Sequence, residues 1–393
     1  MSEKKLRPAT ALVHGGSMRS QFGEMSEALF LTQSYVFDTM ETAEARFKGE
    51  DPGYIYSRFT NPTVAMLEQR MAMLEGSESA KATASGMSAV TAALLGQVRA
   101  GDHVVAAKAL FGSCRYVVED LMTRCGVAFT LVDGTDLSQW KAAMRPNTKT
   151  LFLESPTNPQ LEIIDIAAVA KIAHDGGATL VVDNVFATPM LQRPLQLGAD
   201  CVVYSLTKHV DGQGRCLGGM ILASEAFIQA NVYQLLRQTG PALSPFNAWV
   251  MLKGLETLPL RIAQQQRTAE RVAEFIAEQP AIQNLLYPSR KDHPQHELAM
   301  RQMSGGGTVM AFTVKGGKDA AFRLGNALEI IKISNNLGDS KSIVTHPATT
   351  THFRLGPEAR AEAGINDGML RLSCGLEDAD DLVEDLAGAL KAI

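Results

Sequence analysis

The sequence predicts an α/β fold with a mostly parallel central sheet, helices on both faces and a smaller C-terminal α+β domain. From about residue 62 to 224, helical patterns alternate with short apolar runs. Many of these runs are apolar on both faces, which is typical of parallel strands buried between helices. After about residue 278, strand-like runs mix with helices in a different pattern, which indicates the second domain.

Three regions follow from this pattern: an N-terminal arm, a large domain and a C-terminal domain, at 1–61, 62–254 and 255–393. The first 60 residues have little periodicity but several aromatic side chains. Because such a segment cannot bury itself, we expect the arm to contact a neighbouring subunit. The large domain begins with a helix over Pro62–Leu74, since Asn61 is a good N-cap and proline suits the first turn.

The predicted strands of the large domain are short and many are rich in valine. They lie near 103–107, 127–132, 150–154, 179–182, 201–204 and 219–223. A long helical pattern, roughly 246–278, leads into the C-terminal domain. The elements predicted there are strands Thr308–Val314 and Met369–Ser373 and a final helix Ala379–Lys391.

Composition excludes several classes of function. The 393 residues are 46% hydrophobic and 20% charged, and a net charge of -5 gives no reason to expect nucleic acid as a partner. No apolar stretch is long enough to span a bilayer, and Met1–Lys5 lacks the apolar core of a signal peptide. Five cysteines without a Cys-x-x-Cys pair indicate reduced thiols and a cytoplasmic protein. No metal site is expected, since His293 and His296 are most simply solvated.

Polar residues follow the apolar runs where a parallel sheet places its ligands, beyond the carboxyl ends of the strands. Asp183 ends one run, and Ser205, Thr207 and Lys208 follow another. An acid for a ring nitrogen, hydroxyls for a phosphate and a lysine for an aldehyde together predict a pyridoxal 5′-phosphate (PLP) site. Asp183 could simply close a strand and Lys208 could be solvated, but the apolar neighbours of Lys208 favour the cofactor.

Three further positions have both a structural and a functional interpretation. Gly86 and Met87 follow Ser85 at a predicted helix start, which is either an ordinary cap or part of the phosphate site. Asn158 stands in a stiff turn between two prolines, and could bond the phenolic oxygen of the cofactor. Arg371 lies inside a strand pattern, where arginine is usually at an edge or surface, but its fork also suits an amino-acid carboxylate.

Seven ordered segments resemble the cystathionine γ-synthase-like (Cys/Met metabolism) enzymes of PLP fold type I. The resemblance covers essentially the whole chain, through Tyr54–Thr63, Ala84–Met87, Glu154–Pro159, Val182–Asn184, Ser205–Lys208, His346–Ala348 and Arg371–Glu377. It implies that Lys208 is the Schiff-base lysine and proton shuttle, Asp183 the pyridinium partner and Arg371 the substrate-carboxylate ligand. It also implies a homotetramer of two dimers in which Tyr56 and Arg58 reach the phosphate of the neighbouring subunit.

Two departures from the family pattern are informative about the reaction. Phe111 stands where most members have a tyrosine stacked on the cofactor ring, and Asn336 where many have a serine near the substrate carboxylate. Together with Gly212–Arg215, they resemble the O-succinylhomoserine sulfhydrylase subgroup, which makes homocysteine from acylated homoserine and sulfide. The expected reaction is therefore a γ-replacement.

Three alternatives stay open at this stage. They are a cystathionine γ-synthase that uses cysteine, a γ-lyase acting on methionine or cystathionine, and a relative without catalysis. The missing phenol at Phe111 argues against the lyase, and intact Lys208, Asp183 and Arg371 argue against the last. The acyl group, succinyl or acetyl, is not determined, although Arg115 and Arg215 are candidates for a distal carboxylate.

Overall fold

The computed structural model describes residues 6–393, so Met1–Lys5 of the arm lie outside the described residues. Within that range a large sheet has seven strands in the order β1-β7-β6-β5-β4-β2-β3. They are β1 (Ser79–Thr83), β2 (His103–Ala107), β3 (Ala128–Val132), β4 (Thr148–Glu154), β5 (Thr179–Asp183), β6 (Cys201–Ser205) and β7 (Gly219–Ala223).

Pairing in this sheet is mainly parallel, as the sequence predicts. Strands β3, β2, β4, β5 and β6 are neighbours in that order and run parallel. Strand β7 runs antiparallel between β6 and β1. Leu180 and Val181, successive residues of β5, enter two different hydrophobic cores. The sheet is therefore covered on both faces, because successive side chains of a strand point to opposite sides.

Residues 6–393 contain seventeen α-helices. In the first 256 residues they are α1 (Pro8–His14), α2 (Met40–Lys48), α3 (Pro62–Glu75), α4 (Gly86–Leu95), α5 (Gly112–Tyr116), α6 (Met122–Arg124), α7 (Leu137–Ala143), α8 (Ile166–Asp175), α9 (Thr188–Leu191), α10 (Glu225–Phe227), α11 (Tyr233–Thr239) and α12 (Pro245–Glu256). Next come α13 (Leu258–Ala277), α14 (His296–Gln302), α15 (Gly317–Asn326), α16 (Gly356–Glu362) and α17 (Ala379–Leu390).

The chain also forms five shorter helical segments within the described range. Two are π-helical, Val117–Leu121 and Ile228–Val232, and three are 3₁₀ turns, Pro194–Leu197, Pro347–Thr349 and Phe353–Leu355, all within the described range. Helix α3 begins as predicted, with the Asn61 side chain accepting from the backbone N–H groups of Thr63 and Val64.

The single long helix expected over 246–278 is wrong, because the chain forms α12 and α13 with a break at Thr257. Pro259 lies in the first turn of α13 and lacks the N–H group that a continuous helix would need. Helix α13 begins in a core of the large sheet, through Leu258 and Ile262, and ends in the C-terminal core, through Val272 and Ile276. It therefore connects the two predicted domains.

The C-terminal region has its own smaller sheet and core, in agreement with the predicted α+β domain. Within the described chain its order is β10-β11-β12-β9-β8. Its strands are β8 (Ile282–Leu286), β9 (Val309–Val314), β10 (Lys332–Ile333), β11 (Ile343–Thr345) and β12 (Met369–Ser373). Helices α13, α15 and α17 pack against it through side chains such as Val272, Leu324 and Leu386.

The N-terminal arm is better anchored to its own chain than expected. Helix α1 buries Ala11 and Leu12. Arg70 of α3, itself fully buried, donates to the Gly15 carbonyl at 3.0 Å and forms a salt bridge with Glu27. The expectation that the arm cannot bury itself is therefore wrong for its first half, where α1 and Glu27 are held against α3.

Lys253 of α12 completes the group that we call the arm anchor, defined as Arg70, Glu27, Lys253 and Glu256. Lys253 forms salt bridges with Glu27 and, at 2.9 Å, with Glu256. Burial alone raises the pKa of Glu27, but hydrogen bonds from Lys253 and Arg70 outweigh it and lower this pKa to about 2. Other arm residues leave large apolar side chains exposed, namely Phe22, Met25, Leu31, Val36, Met40 and Phe47.

Two smaller findings concern expectations from composition. His293 is buried, and its Nδ1 accepts a hydrogen bond from the Gln295 backbone at 3.1 Å. The expectation of a solvated His293 is wrong, because its ring is buried and hydrogen-bonded to the backbone on the other side of Pro294. Over residues 6–393, no helix is both long and apolar enough to cross a membrane.

Candidate active site

A cavity of about 540 Å³ opens beyond the carboxyl ends of β4, β5 and β6. Glu154, Asp183 and Ser205 are the last residues of these three strands and all line it. Parallel neighbours in the sheet bring their ends to one edge, and Glu154 is paired directly with Asp183. The large domain thus supplies the floor of the cavity, where a doubly covered sheet binds its ligands.

Lys208 follows β6 and points its amine across the cavity. Nζ donates a hydrogen bond to Oδ1 of Asn336, which belongs to the C-terminal region. Burial, reinforced by the positive charge of Arg371, lowers the pKa of Lys208 to about 8, although Asp183 acts in the opposite direction. A buried amine of lowered pKa is a better nucleophile and proton acceptor than a surface lysine.

Asp183 lies at the floor of the cavity and is almost fully buried. Its Oδ1 accepts from the Val185 backbone N–H at 3.1 Å. Burial raises its pKa to about 7, against the opposing effects of that N–H group and of Lys208. A carboxyl group in this setting favours a cationic, hydrogen-bonding partner such as a protonated ring nitrogen.

The start of helix α4 forms an anion cradle beside Ser205. The Ser85 side chain caps the helix by accepting from the Ser88 backbone N–H, and Gly86 and Met87 form its first turn. A Cβ atom on Gly86 would lie 2.6 Å from Cβ of Ser205, so only glycine allows this close approach. Backbone N–H groups at a helix start bind phosphate well, and the Ser205 and Thr207 side chains line the same part of the cavity.

Arg371 lies inside the smaller sheet, on β12 between β11 and β9, and is only 2% exposed. The expectation that a strand arginine is usually at an edge or surface does not hold here. Nη1 donates to Oδ1 of Asn158 at 2.8 Å, and Nη2 donates to the carbonyls of Asn335 and Asn336 at 3.2 and 3.0 Å. Among residues 6–393, Arg371 Nε finds no hydrogen-bond partner.

The Nε–H group of Arg371, unpaired within the described chain, is suited to bind an anionic ligand. Burial lowers the pKa of Arg371 to about 10, with Glu154 acting in the opposite direction. An unpaired buried N–H group costs free energy unless a ligand accepts from it. Because the side chain lines the cavity, an anionic oxygen bound there would satisfy it.

Phe111, Asn158 and Asn336 also line the cavity, so the structure brings them together with Lys208 and Asp183. Sequence reasoning gave no role to Glu154 beyond its place at a strand end, yet its Oε2 accepts from the Phe111 backbone N–H at 2.9 Å. No local sequence signal shows this bond, which joins residues 43 positions apart. Other lining residues missed from the sequence are Cys114, Leu217, Ser334, Asn335 and Thr351.

Tyr56 and Arg58 lie outside this cavity in the described chain. Arg58 donates to the Arg237 carbonyl, and both guanidinium groups stack on the Phe59 ring, at 4.8 and 4.1 Å from its centre. Arg115 and Arg215, the candidates for a distal carboxylate, do not line the cavity either. They form salt bridges with Glu119 and Asp211, respectively.

The residues present fit PLP at each of its ends: an acid for the ring nitrogen, a lysine for the aldehyde and an anion cradle for the phosphate. No cluster of three or more metal-ligating side chains was found in the part of the chain that the structure describes. Residues 9–391 match the family described as Cys/Met metabolism PLP-dependent enzyme. The chain belongs to this family.

Members of the Cys/Met metabolism family with known names are similar over almost the whole chain. The O-succinylhomoserine sulfhydrylase of Mycobacterium tuberculosis is 51% identical over 386 residues, which cover 97% of this chain and 95% of that protein. The L-methionine gamma-lyase of Pseudomonas putida is 43% identical over 383 residues, 97% of this chain and 96% of that protein. The chain therefore has both sulfhydrylases and lyases among its relatives.

A solved structure of the same fold confirms PLP fold type I. A Campylobacter jejuni protein assigned as an O-acetylhomoserine (thiol)-lyase superposes with a TM-score of 0.94 at 32% identity. The match covers 98% of this chain and 100% of that one, and that structure contains N′-pyridoxyl-lysine-5′-monophosphate. PLP is the cofactor of the family to which this chain belongs.

Proposed function

We propose that this chain catalyses γ-replacement on O-succinyl-L-homoserine with sulfide, giving L-homocysteine and succinate for methionine biosynthesis. The observation that carries the proposal is one cavity that is lined by Lys208, Asp183 and Arg371 and also by Phe111. The 51% identity to an O-succinylhomoserine sulfhydrylase supports it, since the lyase relative is less similar at 43%.

Bound PLP supplies an electron sink for negative charge that develops on the substrate. Asp183 keeps the ring nitrogen protonated, which maintains that sink, and its burial makes the ion pair strong. The α4 cradle around Gly86, with Ser205 and Thr207, holds the phosphate. The side-chain NH₂ group of Asn158 would donate to the phenolic oxygen of PLP, since its Oδ1 atom already accepts from Arg371.

Arg371 binds the α-carboxylate of the substrate. Its Nε lacks a partner among the described residues, and its other nitrogens are held by Asn158 and by backbone carbonyls, so the fork is fixed before the substrate arrives. A preorganised, buried guanidinium group loses little entropy on binding a carboxylate. The α-carbon of the substrate is thereby directed towards Lys208.

Lys208 moves the protons. With a pKa near 8, its amine is present in part as the neutral base at physiological pH, and can remove the Cα proton and later return it. Asn336, its hydrogen-bond partner, holds the amine in the cavity through Oδ1. The substrate's γ-acyl group leaves as succinate, and the sulfur of sulfide forms the new bond at Cγ.

Phe111 distinguishes this cavity from that of a lyase. Its ring can stack on the cofactor but has no phenol to donate a proton, so general-acid help from this position is lost. This favours replacement over elimination. Cystathionine γ-synthase activity with cysteine is the second candidate, and differs only in the size of the nucleophile that the cavity admits.

Three further points belong to the same proposal. The chain is divided into an arm (1–61), a PLP-binding domain (62–254) and a substrate domain (255–393).

Two dimers form a homotetramer in which Tyr56 and Arg58 reach the partner's phosphate. The exposed apolar side chains of the arm support this assembly, because a neighbouring subunit would cover them. The protein is cytoplasmic, as five unpaired cysteines suggest.

Steady-state assays of the purified holoenzyme test the proposal directly. O-succinylhomoserine is given with sulfide, with cysteine, and alone, and O-acetylhomoserine replaces it in a parallel series. We expect the highest kcat/KM for succinyl substrate with sulfide. A higher rate of cystathionine formation from cysteine would make the enzyme a synthase, and 2-oxobutanoate from methionine would make it a lyase.

A further inference from the structure

Glu154 lines the floor of the cavity, but the proposed mechanism gives it no role. It is the last residue of β4, is only 3% exposed, and lines the cavity. A buried carboxyl group needs hydrogen-bond donors to offset its desolvation. The backbone N–H of Phe111 donates to Oε2 at 2.9 Å, and the Asn158 backbone also interacts with this carboxyl group.

This bond ties a turn to the floor of the cavity. Phe111 precedes the short helix α5 and has no side-chain cap of its own. Glu154 is paired across the sheet with Asp183, so the bond fixes the backbone of the ring-bearing residue relative to the residue that faces the ring nitrogen. The turn is bounded on another side by the Thr351 carbonyl, 3.5 Å from where a Cβ atom on Gly112 would lie.

Three other cavity residues act on the same carboxyl group. Burial and the neighbouring Asp183 raise the pKa of Glu154 well above its usual range, while the Phe111 N–H, Arg371 and the Asn158 backbone oppose this. Glu154 is thus electrostatically linked to both polar ends of the site. Within residues 6–393 no hydrogen bond joins Glu154 to Lys208, whose Nζ donates to Asn336.

We propose that Glu154 is a positioning residue, whose side-chain oxygen accepts the Phe111 N–H and so holds the Phe111 ring where it would stack on bound PLP. The inference rests on the stacking role proposed for Phe111. What matters is the acceptor oxygen on the side chain, because the amide of glutamine can accept the same N–H bond.

Two substitutions separate the bond from the charge. Glu154→Ala removes the acceptor, and we expect the dissociation constant of PLP to rise by about tenfold and the visible circular dichroism of the bound cofactor to weaken. Misplacing the ring should lower kcat by about 100-fold. Glu154→Gln keeps an oxygen at the same reach, so all three quantities should stay within about threefold of the parent enzyme. If the alanine protein does not fold, Glu154→Leu removes the acceptor at similar volume.

Asp200 offers a control at the opposite ends of the same strands. Its Oδ2 accepts from the Leu180 backbone N–H at 2.7 Å, near the start of β5, and is also paired with His174 Nε2 at 2.9 Å. Asp200→Ala removes a comparable bond and should leave the cofactor dichroism and affinity unchanged. A similar loss in this variant would show that any backbone anchor of the sheet has the same effect, which overturns the proposal.

A double substitution tests whether Glu154 acts through the ring. In Phe111→Leu the stack is already lost, so adding Glu154→Ala should change cofactor affinity and dichroism little further. Fully additive effects would contradict the proposal, as would a Glu154→Gln protein that is as impaired as Glu154→Ala. Dichroism and affinity are measured without substrate, so they test Glu154 even if sulfide proves not to be the nucleophile.

Discussion

The arm anchor and the cavity each contain an arginine and a lysine, but within the described chain only those of the arm anchor form salt bridges with carboxylates. Arg70 and Lys253 form salt bridges with Glu27. The hydrogen bonds of Arg371 within the described chain go to an amide oxygen and two main-chain carbonyls, and that of Lys208 to the Asn336 side chain. A cation in a salt bridge stabilises the fold, whereas a buried cation whose partners are neutral groups is available to an anionic ligand.

The pKa directions of the two lysines follow from this difference. Burial lowers the pKa of Lys253, but hydrogen bonds with Glu27 and Glu256 outweigh it and the pKa is raised. In the cavity, burial and Arg371 lower the pKa of Lys208 to about 8 because Asp183 opposes them only weakly. The same residue type is thus a fixed cation in one region and a titratable amine in the other.

The largest expected effect is that of Lys208→Ala. Removing the amine that moves the protons should lower kcat by about 10⁴-fold. In a visible spectrum, PLP added to this protein should lack the absorbance of a lysine-linked cofactor. Lys253→Ala serves as the control and should retain the spectrum and most activity. Comparable losses in both proteins would remove the distinction between the regions.

Arg70→Met should mainly destabilise the protein. It leaves Glu27 buried with one cation fewer, and breaking a buried pair costs roughly 3–5 kcal/mol. We expect the free energy of unfolding, measured with urea at fixed protein concentration, to fall by that amount. The kcat/KM of the remaining folded enzyme should change little, and a large fall in kcat/KM without loss of stability would contradict the assignment of Arg70 to the arm anchor.

Arg371→Met should give the opposite result. Losing the carboxylate ligand should lower kcat/KM for the acylated homoserine by about 100-fold. The urea midpoint should fall less than in Arg70→Met, because neutral hydrogen bonds are lost and no salt bridge is broken. Arg371→Lys should recover only part of the activity, since an ammonium group cannot form a fork. An unchanged KM together with a midpoint as low as that of Arg70→Met would mean that Arg371 is structural.

The smallest expected effect is a pH dependence of the arm anchor. The pKa of Glu27 is about 2 in the folded chain against an ordinary 4.5, so its charged form stabilises the fold above pH 4.5 and this contribution is lost as the pH falls towards 2. The difference in unfolding free energy between the parent protein and Glu27→Gln should therefore shrink over that interval. A difference that stays constant with pH would show that Glu27 is not ionised.

Much of the large domain could be predicted because its signals are local. The runs ending at Asp183 and Ser205 are apolar on both faces, so their strands and the position of Lys208 follow from short segments. Strand β1 was missed, since Ser79–Thr83 contains two alanines and a lysine and is a strand only through its pairing with β7. Pro259, in contrast, is a local signal for a helix break near Thr257, and the prediction of one long helix over 246–278 did not take it into account.

The remaining features of the site depend on residues far apart in the chain. The bond between Glu154 and the Phe111 backbone joins two segments of the large domain, and the contact of Arg371 with Asn158 joins that domain to the C-terminal region. The spacing of these residues in the sequence does not predict either contact. The burial of Glu27 beside Arg70 was unforeseen for the same reason, because the acid comes from an arm with little periodicity.

The most direct test of the proposed function is a competition assay. The holoenzyme is given O-succinylhomoserine with equal concentrations of sulfide and cysteine, and homocysteine, cystathionine and 2-oxobutanoate are measured over the initial turnovers. The account predicts homocysteine in large excess, with little 2-oxobutanoate because Phe111 lacks a phenol. Cystathionine as the main product, or 2-oxobutanoate formed faster than either thioether or thiol, would contradict it.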